Sequence, residues 1–373
     1  MKNAKLHEII TCVLFCGFIG IMGLCMVLLP KSDFSETEKR ELSQFPALTW
    51  ETLSSGDFAD DLETYMADHL PGRTFFVGLK AYFDLLTGQQ ASKDIYVAEG
   101  DRLVEKPVIW DQAQVEKNMK YINKFSAALD VPVDLLIVPS AGFLLEDTVM
   151  GIHDAYTDDA ILQAIYRQAG EKLNTFDLLS VYQQMDADRL YYRTDHHWTS
   201  YGAYSAYCAY MQSIGMDYPA ADFFTVERHS GFRGSTYTRS ALWLTPAEDI
   251  ELWVGSALQV ENSTTEGIHQ GAFYPQRLDE ADMYTVFLDG NQPLVHIYNE
   301  ANAGKGTILV VRDSYSNCLG PFLAESYEEV ILVDLRYYRK SVSELVTSEG
   351  VNRVLVLYCI GNFMTDNNML FLR

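Results

Sequence analysis

Three kinds of hydrophobic pattern run along the chain, and each predicts a different kind of element. The first is unbroken: from Ile9 to Leu29 no residue is charged, and Ile, Val, Leu, Phe, Met and Cys dominate. About 21 residues at the helical rise span roughly 31 Å, which matches the hydrocarbon core of a bilayer. A cleavable leader should have a shorter apolar stretch ending in a small-x-small site, whereas this one ends Val27-Leu28-Leu29-Pro30-Lys31. No lipoprotein signal is present either, because Phe15 precedes Cys16 and Leu24 precedes Cys25. The expectation is an uncleaved membrane anchor. Lys2 and Lys5 lie before it and Lys31, Lys39 and Arg40 behind it, so charge bias hardly orients it. The long acidic chain behind one N-terminal helix predicts an N-terminus inside and the remainder outside the cytoplasm.

The second pattern is amphipathic. Phe58, Leu62, Tyr65 and Met66 recur at three- and four-residue spacing, and Phe75, Phe76, Leu79, Tyr82, Phe83 and Leu86 do so after Pro71-Gly72, with Gly88 closing the run. Residues 112–129, with Val115, Met119, Ile122 and Phe125, predict a long helix. Between these, 95–110 reads as short strands around a Glu99-Gly100-Asp101 turn.

The third pattern is continuously apolar and β-branched: 131–138, 307–311, 330–333 and 354–357. Strands of this kind are buried on both faces, as in a parallel sheet between helices. Helical patterns at 160–172, 200–214 and 341–348 separate them, so the expected fold class is α/β with a central, mostly parallel sheet. Residues 220–299 break the rhythm with turns and short paired strands, such as 284–288 with 294–298, and read as an insertion carrying binding loops. The expected organisation is therefore an anchor over 1–30, a tether and helical lead-in over 31–90, and a catalytic domain over 91–373.

Charge narrows the function. Lys and Arg total 28 against 51 Asp and Glu, a net charge of −23, and such a field repels phosphate backbones, so no nucleic-acid partner is expected. Cys12, Cys16 and Cys25 fall in the anchor, and Cys208, Cys318 and Cys359 are too few for a disulfide scaffold and read as buried free thiols.

The densest polar-aromatic cluster is Tyr191-Tyr192-Arg193-Thr194-Asp195-His196-His197-Trp198-Thr199-Ser200. Thr199 suits the cap of a helix beginning at Ser200, which leaves Asp195 to Trp198 in the preceding loop. Residues two apart in extended backbone share a face, so Asp195 and His197 point together while His196 points elsewhere. A carboxylate beside an imidazole fixes its tautomer, as a general base needs. Far along the chain, the apolar strand 307–311 runs into Arg312-Asp313-Ser314-Tyr315-Ser316-Asn317. Ser314 then sits at the carboxyl end of a central strand, in the strand-turn-helix setting of a nucleophile but without Gly-x-Ser-x-Gly.

These residues resemble a known family. Thr194-Asp195-His196-His197-Trp198-Thr199, with Gly202-Ala203-Tyr204 behind it, is similar to the signature of the DHHW family, related to the alginate O-acetylation proteins and other SGNH-hydrolase-like acetyltransferases. Ser35, Glu38, Arg40, Leu42, Phe45-Pro46, Gly56-Asp57-Phe58, Tyr65, Asp68 and Pro71-Gly72-Arg73 match its N-terminal region in kind and order. Gly231-Phe232-Arg233-Gly234-Ser235, Phe287-Leu288-Asp289-Gly290-Asn291 and Asp313-Ser314-Tyr315 resemble its later motifs. The resemblance implies a permuted SGNH-hydrolase-like sandwich and a triad of Ser314, His197 and Asp195, with His196, Trp198 and Tyr315 in support. By analogy with SGNH enzymes, Asn291 is a candidate oxyanion donor beside the Ser314 N–H; a Gly-Asn hairpin turn explains the same letters.

The implied activity is an extracytoplasmic O-acetyltransferase or acetylesterase acting on a cell-surface polysaccharide through an acetyl-enzyme. No cofactor and no metal is expected, and the implied partner is a membrane-bound O-acyltransferase supplying acetyl groups. Two other readings compete. A non-catalytic polysaccharide-binding or scaffold protein would use the 23 Tyr and 5 Trp to stack on sugars. A metal-dependent phosphoesterase would need ligands beyond Asp-His-His, yet His69, His153, His229, His269 and His296 are scattered.

Overall fold

The structure is a computed structural model that describes residues 2–35 and 40–373, with side chains from Leu6 onward. Glu38 and Lys39, used in the sequence reading, lie outside the described residues, and so do the side chains of Lys2 and Lys5. The chain divides into two compact units: residues up to Gln89 together with Ala241–Trp243, and Gln90–Ser240 with Leu244–Arg373.

In the first unit, α1 (Lys2–Leu28) contains a 23-residue apolar segment, Leu6–Leu28, long enough to cross a membrane. Behind it come a two-residue antiparallel bridge, Phe34–Ser35 with Arg40–Glu41, and a one-turn helix, Trp50–Ser55. Next are α2 (Asp57–Asp68) and α3 (Arg73–Leu86). The carboxylate of Asp68 accepts from Arg40 Nη2 at 2.5 Å and from Ser43 N and Oγ at 3.0 Å each, fastening the tether to the end of α2. On α3, Gly78 permits Trp243 to pack closely, since a Cβ there would lie 2.5 Å from the indole.

The second unit begins with a hairpin of β1 (Ile95–Ala98) and β2 (Arg102–Glu105), turned by Gly100 at φ 70°. In chain order follow α4 (Gln112–Ala128), β3 (Val133–Val138), α5 (Asp158–Tyr166), β4 (Leu173–Phe176) and α6 (Ser200–Ser213). Then come β5 (Thr225–Phe232), α7 (Ser235–Ser240), β6 (Glu248–Val254), β7 (Gln259–Asn262), β8 (Ile268–Gln270) and β9 (Leu294–Tyr298). The last are β10 (Thr307–Arg312), α8 (Ser316–Ala324), β11 (Glu329–Val333), α9 (Val342–Ser348), β12 (Arg353–Cys359) and α10 (Ile360–Thr365).

Eight of these strands form one sheet in the order β8-β7-β9-β11-β10-β12-β3-β4. The run from β11 to β4 is parallel, and β9, β7 and β8 extend it antiparallel. The two-residue strand period divides the apolar side chains between two cores. Val310, Leu332 and Leu355 face α6 and α8, meeting Tyr207, Met211, Leu319 and Phe322. Leu309, Val311, Ile331 and Val356 face the other way, toward Val115, Met119 and Ile122 of α4, Ile165 of α5 and Phe363 of α10. Because both faces are covered, the four β-branched runs have no polar alternation. This is an α/β fold with a central, mostly parallel sheet covered on both faces, the fold class the sequence implied.

Three details differ from the sequence reading. Residues 284–288 are not a strand: Met283–Val286 is a 3₁₀ turn, in which Thr285 Oγ1 donates to the Asp282 carbonyl at 2.5 Å. Leu288, Asp289 and Gly290 then adopt positive φ, so the chain turns before β9, which pairs with β7 and β11 instead. Residues 220–299 are thus more than loops, for they supply three strands of the main sheet. The helix expected over 160–172 stops at Tyr166, and its tail leads into β4. All six cysteines are unpaired; Cys318 and Cys359 are buried, and Cys208 is only half-buried.

Candidate active site

The Asp195–Trp198 loop is a tight excursion between Leu190 and α6, closed by an antiparallel bridge of Tyr191 with Trp198. The Thr199 hydroxyl caps α6, accepting from Gly202 N at 3.0 Å. A buried guanidinium and a half-buried carboxylate brace the loop. Arg102 Nη1 donates to the carbonyls of Tyr191 and Tyr192 at 3.0 Å each, and the Glu248 carboxylate accepts from Arg193 N at 2.9 Å and Thr194 N at 2.7 Å. Each satisfies backbone groups that would otherwise be buried without partners.

Ser314 arrives from the opposite end of the sequence. It follows β10, a central strand, and precedes α8, at the carboxyl end of the parallel sheet. Asp313 fixes this corner: its Oδ1 accepts from Tyr315 N at 3.0 Å, and its Oδ2 from Cys359 N at 2.8 Å and Asn362 Nδ2 at 2.9 Å. Two cross-ties hold the corner to the histidine loop. The fully buried Trp198 donates Nε1–H to the Tyr315 carbonyl at 3.0 Å, and the Tyr315 hydroxyl donates to the His196 carbonyl.

Between these supports, His197 Nε2 lies 2.7 Å from Ser314 Oγ, and His197 Nδ1 lies 2.5 Å from Asp195 Oδ1. Asp195 Oδ1 also accepts the His197 N–H at 2.8 Å, and Oδ2 accepts Ser235 N at 2.6 Å. Burial alone would push this carboxyl up. The adjoining imidazoles of His197 and His196 and the bonds from His197 and Ser235 outweigh it, holding the group well below the usual carboxylate range. An ionised carboxylate only accepts, so Nδ1 carries the imidazole proton and the lone pair of Nε2 faces the Ser314 hydroxyl. A general base in that tautomer can take the proton from Oγ.

The structure therefore brings Asp195, His197 and Ser314 into one hydrogen-bonded line, with Trp198 and Tyr315 packed around it. His196 stands beside the line: its ring lies 3.9 Å from that of His197, and its Nδ1 meets Ser235 Oγ at 2.5 Å. Burial and the neighbouring His197 lower its pKa, favouring the neutral imidazole. Asn291 is exposed, and its Oδ1 accepts from Asn317 Nδ2 at 3.0 Å. It forms no hairpin tip, because residues 284–288 are not a strand. A cavity of about 240 Å³ opens beside His196 and Tyr315, walled by Ser140, Ser235 and the Glu105–Arg239 ion pair.

Sequence reasoning missed several contributors. Tyr284 stacks face to face on His197, with ring centroids 3.8 Å apart and an interplanar angle of 6°. Gly234 must lack a side chain, since a Cβ would lie 2.1 Å from Asp195 Oδ2. Its place in the Gly231–Ser235 motif was the one available signal. Arg102 and Arg312 are buried charges and Glu248 a half-buried one; most of their partners lie far away in sequence, and no local pattern marks them.

Asp195, His196 and His197 offer ligand atoms within 4.8 Å of one another, the one such grouping of His, Cys, Asp or Glu among the described residues. Both nitrogens of His197 and both oxygens of Asp195 are already engaged, so a metal there would have to displace these bonds.

Residues 107–333 match the family model described as DHHW protein. A search of curated proteins finds no match. Among solved structures, a DHHW family protein from Eubacterium siraeum aligns at 20% identity and a TM-score of 0.63, covering 75% of this chain and 95% of that one. PatB1 from Bacillus cereus, solved with a sulfonyl adduct, aligns at 20% identity and a TM-score of 0.63, over 75% of this chain and 99% of that one. The O-acetyltransferase domain of Pseudomonas putida AlgJ aligns more loosely, at 13% identity and a TM-score of 0.46, over 73% of this chain and 93% of that one.

Proposed function

The chain belongs to the DHHW family, and from that premise and the site's geometry we propose that it is an O-acetyltransferase or acetylesterase working outside the cytoplasm. Its substrate would be a cell-surface polysaccharide, and α1 would hold it in the membrane. The 2.7 Å contact between Ser314 Oγ and His197 Nε2 carries the reading. Ser314 Oγ attacks the carbonyl carbon of an acetyl donor while His197 Nε2 takes its proton. Asp195, hydrogen-bonded to Nδ1–H, stabilises the imidazolium that forms. Collapse of the tetrahedral intermediate breaks the donor's ester bond, and His197 returns the proton to the leaving group. A glycan hydroxyl, or water in the esterase case, then attacks the acetyl-serine. His197 accepts the incoming proton and hands it to Ser314 Oγ as the acetyl group departs. A membrane-bound O-acyltransferase is the proposed source of acetyl groups.

The test uses the full-length protein in detergent with an activated acetyl ester, read by intact mass. Wild type should acquire a covalent acetyl group, and Ser314→Ala should not. Losing a triad member should slow turnover about 10³–10⁶-fold, roughly 4–8 kcal/mol of barrier. The fold defect from deleting one hydroxyl should be only about 1 kcal/mol, so the two effects separate. A Ser314→Ala protein as active as wild type would refute the mechanism, and a folded wild type that never acylates would favour a polysaccharide-binding scaffold.

A further inference from the structure

The helix α3 has an apolar face that its own unit leaves largely uncovered. Phe75, Leu79, Phe83 and Leu86 recur at four-, four- and three-residue spacing, so they form one stripe along the helix, and each is about half exposed or more. The packed side is the other one: Gly78 and Ala81 are buried, and Gly78 lies against Trp243. A helix on the surface of a soluble domain is built the other way round, with its polar residues outward. The unit exposes more of the same kind before α2, where Leu48 and Trp50 are largely exposed. Apolar surface gathered in this way marks a contact still to be made.

What covers the stripe follows from where the helix begins. α1 carries the membrane-length apolar segment Leu6–Leu28, and the chain that leaves it stays close to the start of α3. Leu29 and Lys31, just past α1, line a cavity of about 330 Å³ together with Leu70 and Arg73. The Asp68 carboxylate ties the same point: it accepts from Arg40 and Ser43 of the tether and lies 4.0 Å from Nε of Arg73, the first residue of α3. α3 therefore starts at the level where α1 would leave a bilayer. With 14 residues it is about 21 Å long. Arg73 and Lys80 fall to one side of the stripe, where long cationic side chains reach headgroups while apolar ones enter the acyl boundary. Lys80 is paired with Asp84, and Asp and Glu outnumber Lys and Arg over residues 31–90. Attraction to anionic headgroups is therefore not what would hold the helix there; the stripe is.

Resting on the reading of α1 as a membrane anchor, we propose that α3 lies in the plane of the bilayer surface that α1 leaves, and buries the stripe from Phe75 to Leu86 among lipid acyl chains. The occupant of this face is lipid. The unit then has two membrane contacts, one across the bilayer and one along it, and cannot swivel freely about α1.

Full-length protein in vesicles of phosphatidylcholine alone tests this, because such vesicles offer lipid and no other protein. Tryptophans added at exposed positions report depth without disturbing a core: Leu79→Trp and Phe83→Trp on the stripe, and Lys80→Trp beside it. Bromine atoms on the upper acyl chains quench a tryptophan in the boundary region, and aqueous acrylamide quenches one in water. With the wild-type signal subtracted, bromolipid should remove about half or more of the emission added at 79 and 83, and at least about twofold less of that added at 80, since an interfacial helix sinks its apolar face by only about 5–10 Å. Raising the salt concentration should leave this pattern unchanged. Equal bromine quenching at all three positions would show that this face is not the one turned to lipid. Quenching at 79 and 83 by acrylamide alone would show that the face meets water, and a dimer trapped by crosslinking in that case would assign it to a second copy. A pattern lost at high salt would show that charge holds the helix. Each of these overturns the proposal. Carbonate washing of the same vesicles reads α1 separately: wild type that washes off removes the anchor and the surface contact together, whereas retained protein with an acrylamide-quenched stripe removes the surface contact alone.

Discussion

The two units treat their side chains in opposite ways. In the unit built on α1, α2 and α3, large apolar residues face outward: Trp50 is 84% exposed, Phe83 62% and Leu86 86%. In the sheet unit, polar and charged groups are buried, with Arg312 and Asp334 fully covered and Asp195 nearly so. Helices that bury little apolar surface draw little stability from it, at roughly 25 cal/mol per Å². Local polar ties then matter more. Asp68 is the example: hydrogen bonds from Arg40, together with Ser43, hold its carboxyl well below the ordinary range. The sheet unit has two full cores to support it, and that surplus can tolerate the cost of burying the polar line of Asp195, His197 and Ser314. One unit is tolerant at its surface and the other is exacting in its interior, and this contrast can be broken experimentally.

The largest effect should come from the imidazoles. His197→Gln removes the proposed base between Asp195 and Ser314 and should slow the proposed acyl transfer about 10³–10⁶-fold. His196→Gln leaves both bonds of that line in place, so it should cost about tenfold or less, and comparing initial rates on an acetyl ester would show it. Equal losses would mean that His196 is the base and that the line drawn through His197 Nε2 is not the reacting one.

A smaller but sharper test lies at Gly234. A methyl group there would sit 2.1 Å from Asp195 Oδ2 and 2.2 Å from its Cβ. The carboxylate must move, losing Ser235 N or His197 Nδ1, so Gly234→Ala should slow transfer about 10²–10⁴-fold. Overpacking should cost about 1–3 kcal/mol in a denaturant titration. Near-normal activity would show a loosely held Asp195 and would remove the claim that this interior is exacting.

Much of the sheet unit was legible because its strands are covered on both faces. Runs such as 307–311 and 354–357 have no polar alternation to confuse with a helix, and helices such as α4 and α6 carry plain apolar spacing. The Asp195–Trp198 loop and Ser314 could be singled out because Thr199 caps α6 and because Ser314 follows a central strand. Residues 284–288 misled because Tyr-Thr-Val-Phe-Leu imitates a strand, while the outcome is decided by Thr285 bonding back to Asp282 and by positive φ at Leu288 and Asp289. The stacking of Tyr284 on His197 joins residues brought together only by the sheet order, and one-dimensional spacing cannot record that.

The smallest effect is expected on the two faces of α3, and it tests the tolerant side of the contrast within a single helix. Leu79 and Phe83 lie one turn apart on the exposed face, each more than 45% accessible. Gly78, one residue from Leu79, faces Trp243, which also packs edge-on against Tyr82 at 4.9 Å. If the outward apolar face contributes nothing to folding, Leu79→Ser and Phe83→Ser should change stability by no more than about 0.5 kcal/mol. A unit this small would then melt within a few degrees of wild type. Gly78→Ala adds only one methyl group, yet it would force the indole away and should cost about 1–3 kcal/mol. Tryptophan fluorescence during thermal or denaturant unfolding of the full-length protein reads all three. The small substitution should therefore harm more than the large polar ones. If the serine variants melt several degrees lower instead, the outward face of α3 is packed against something in the folded protein, and the contrast between the two units fails at its simpler end.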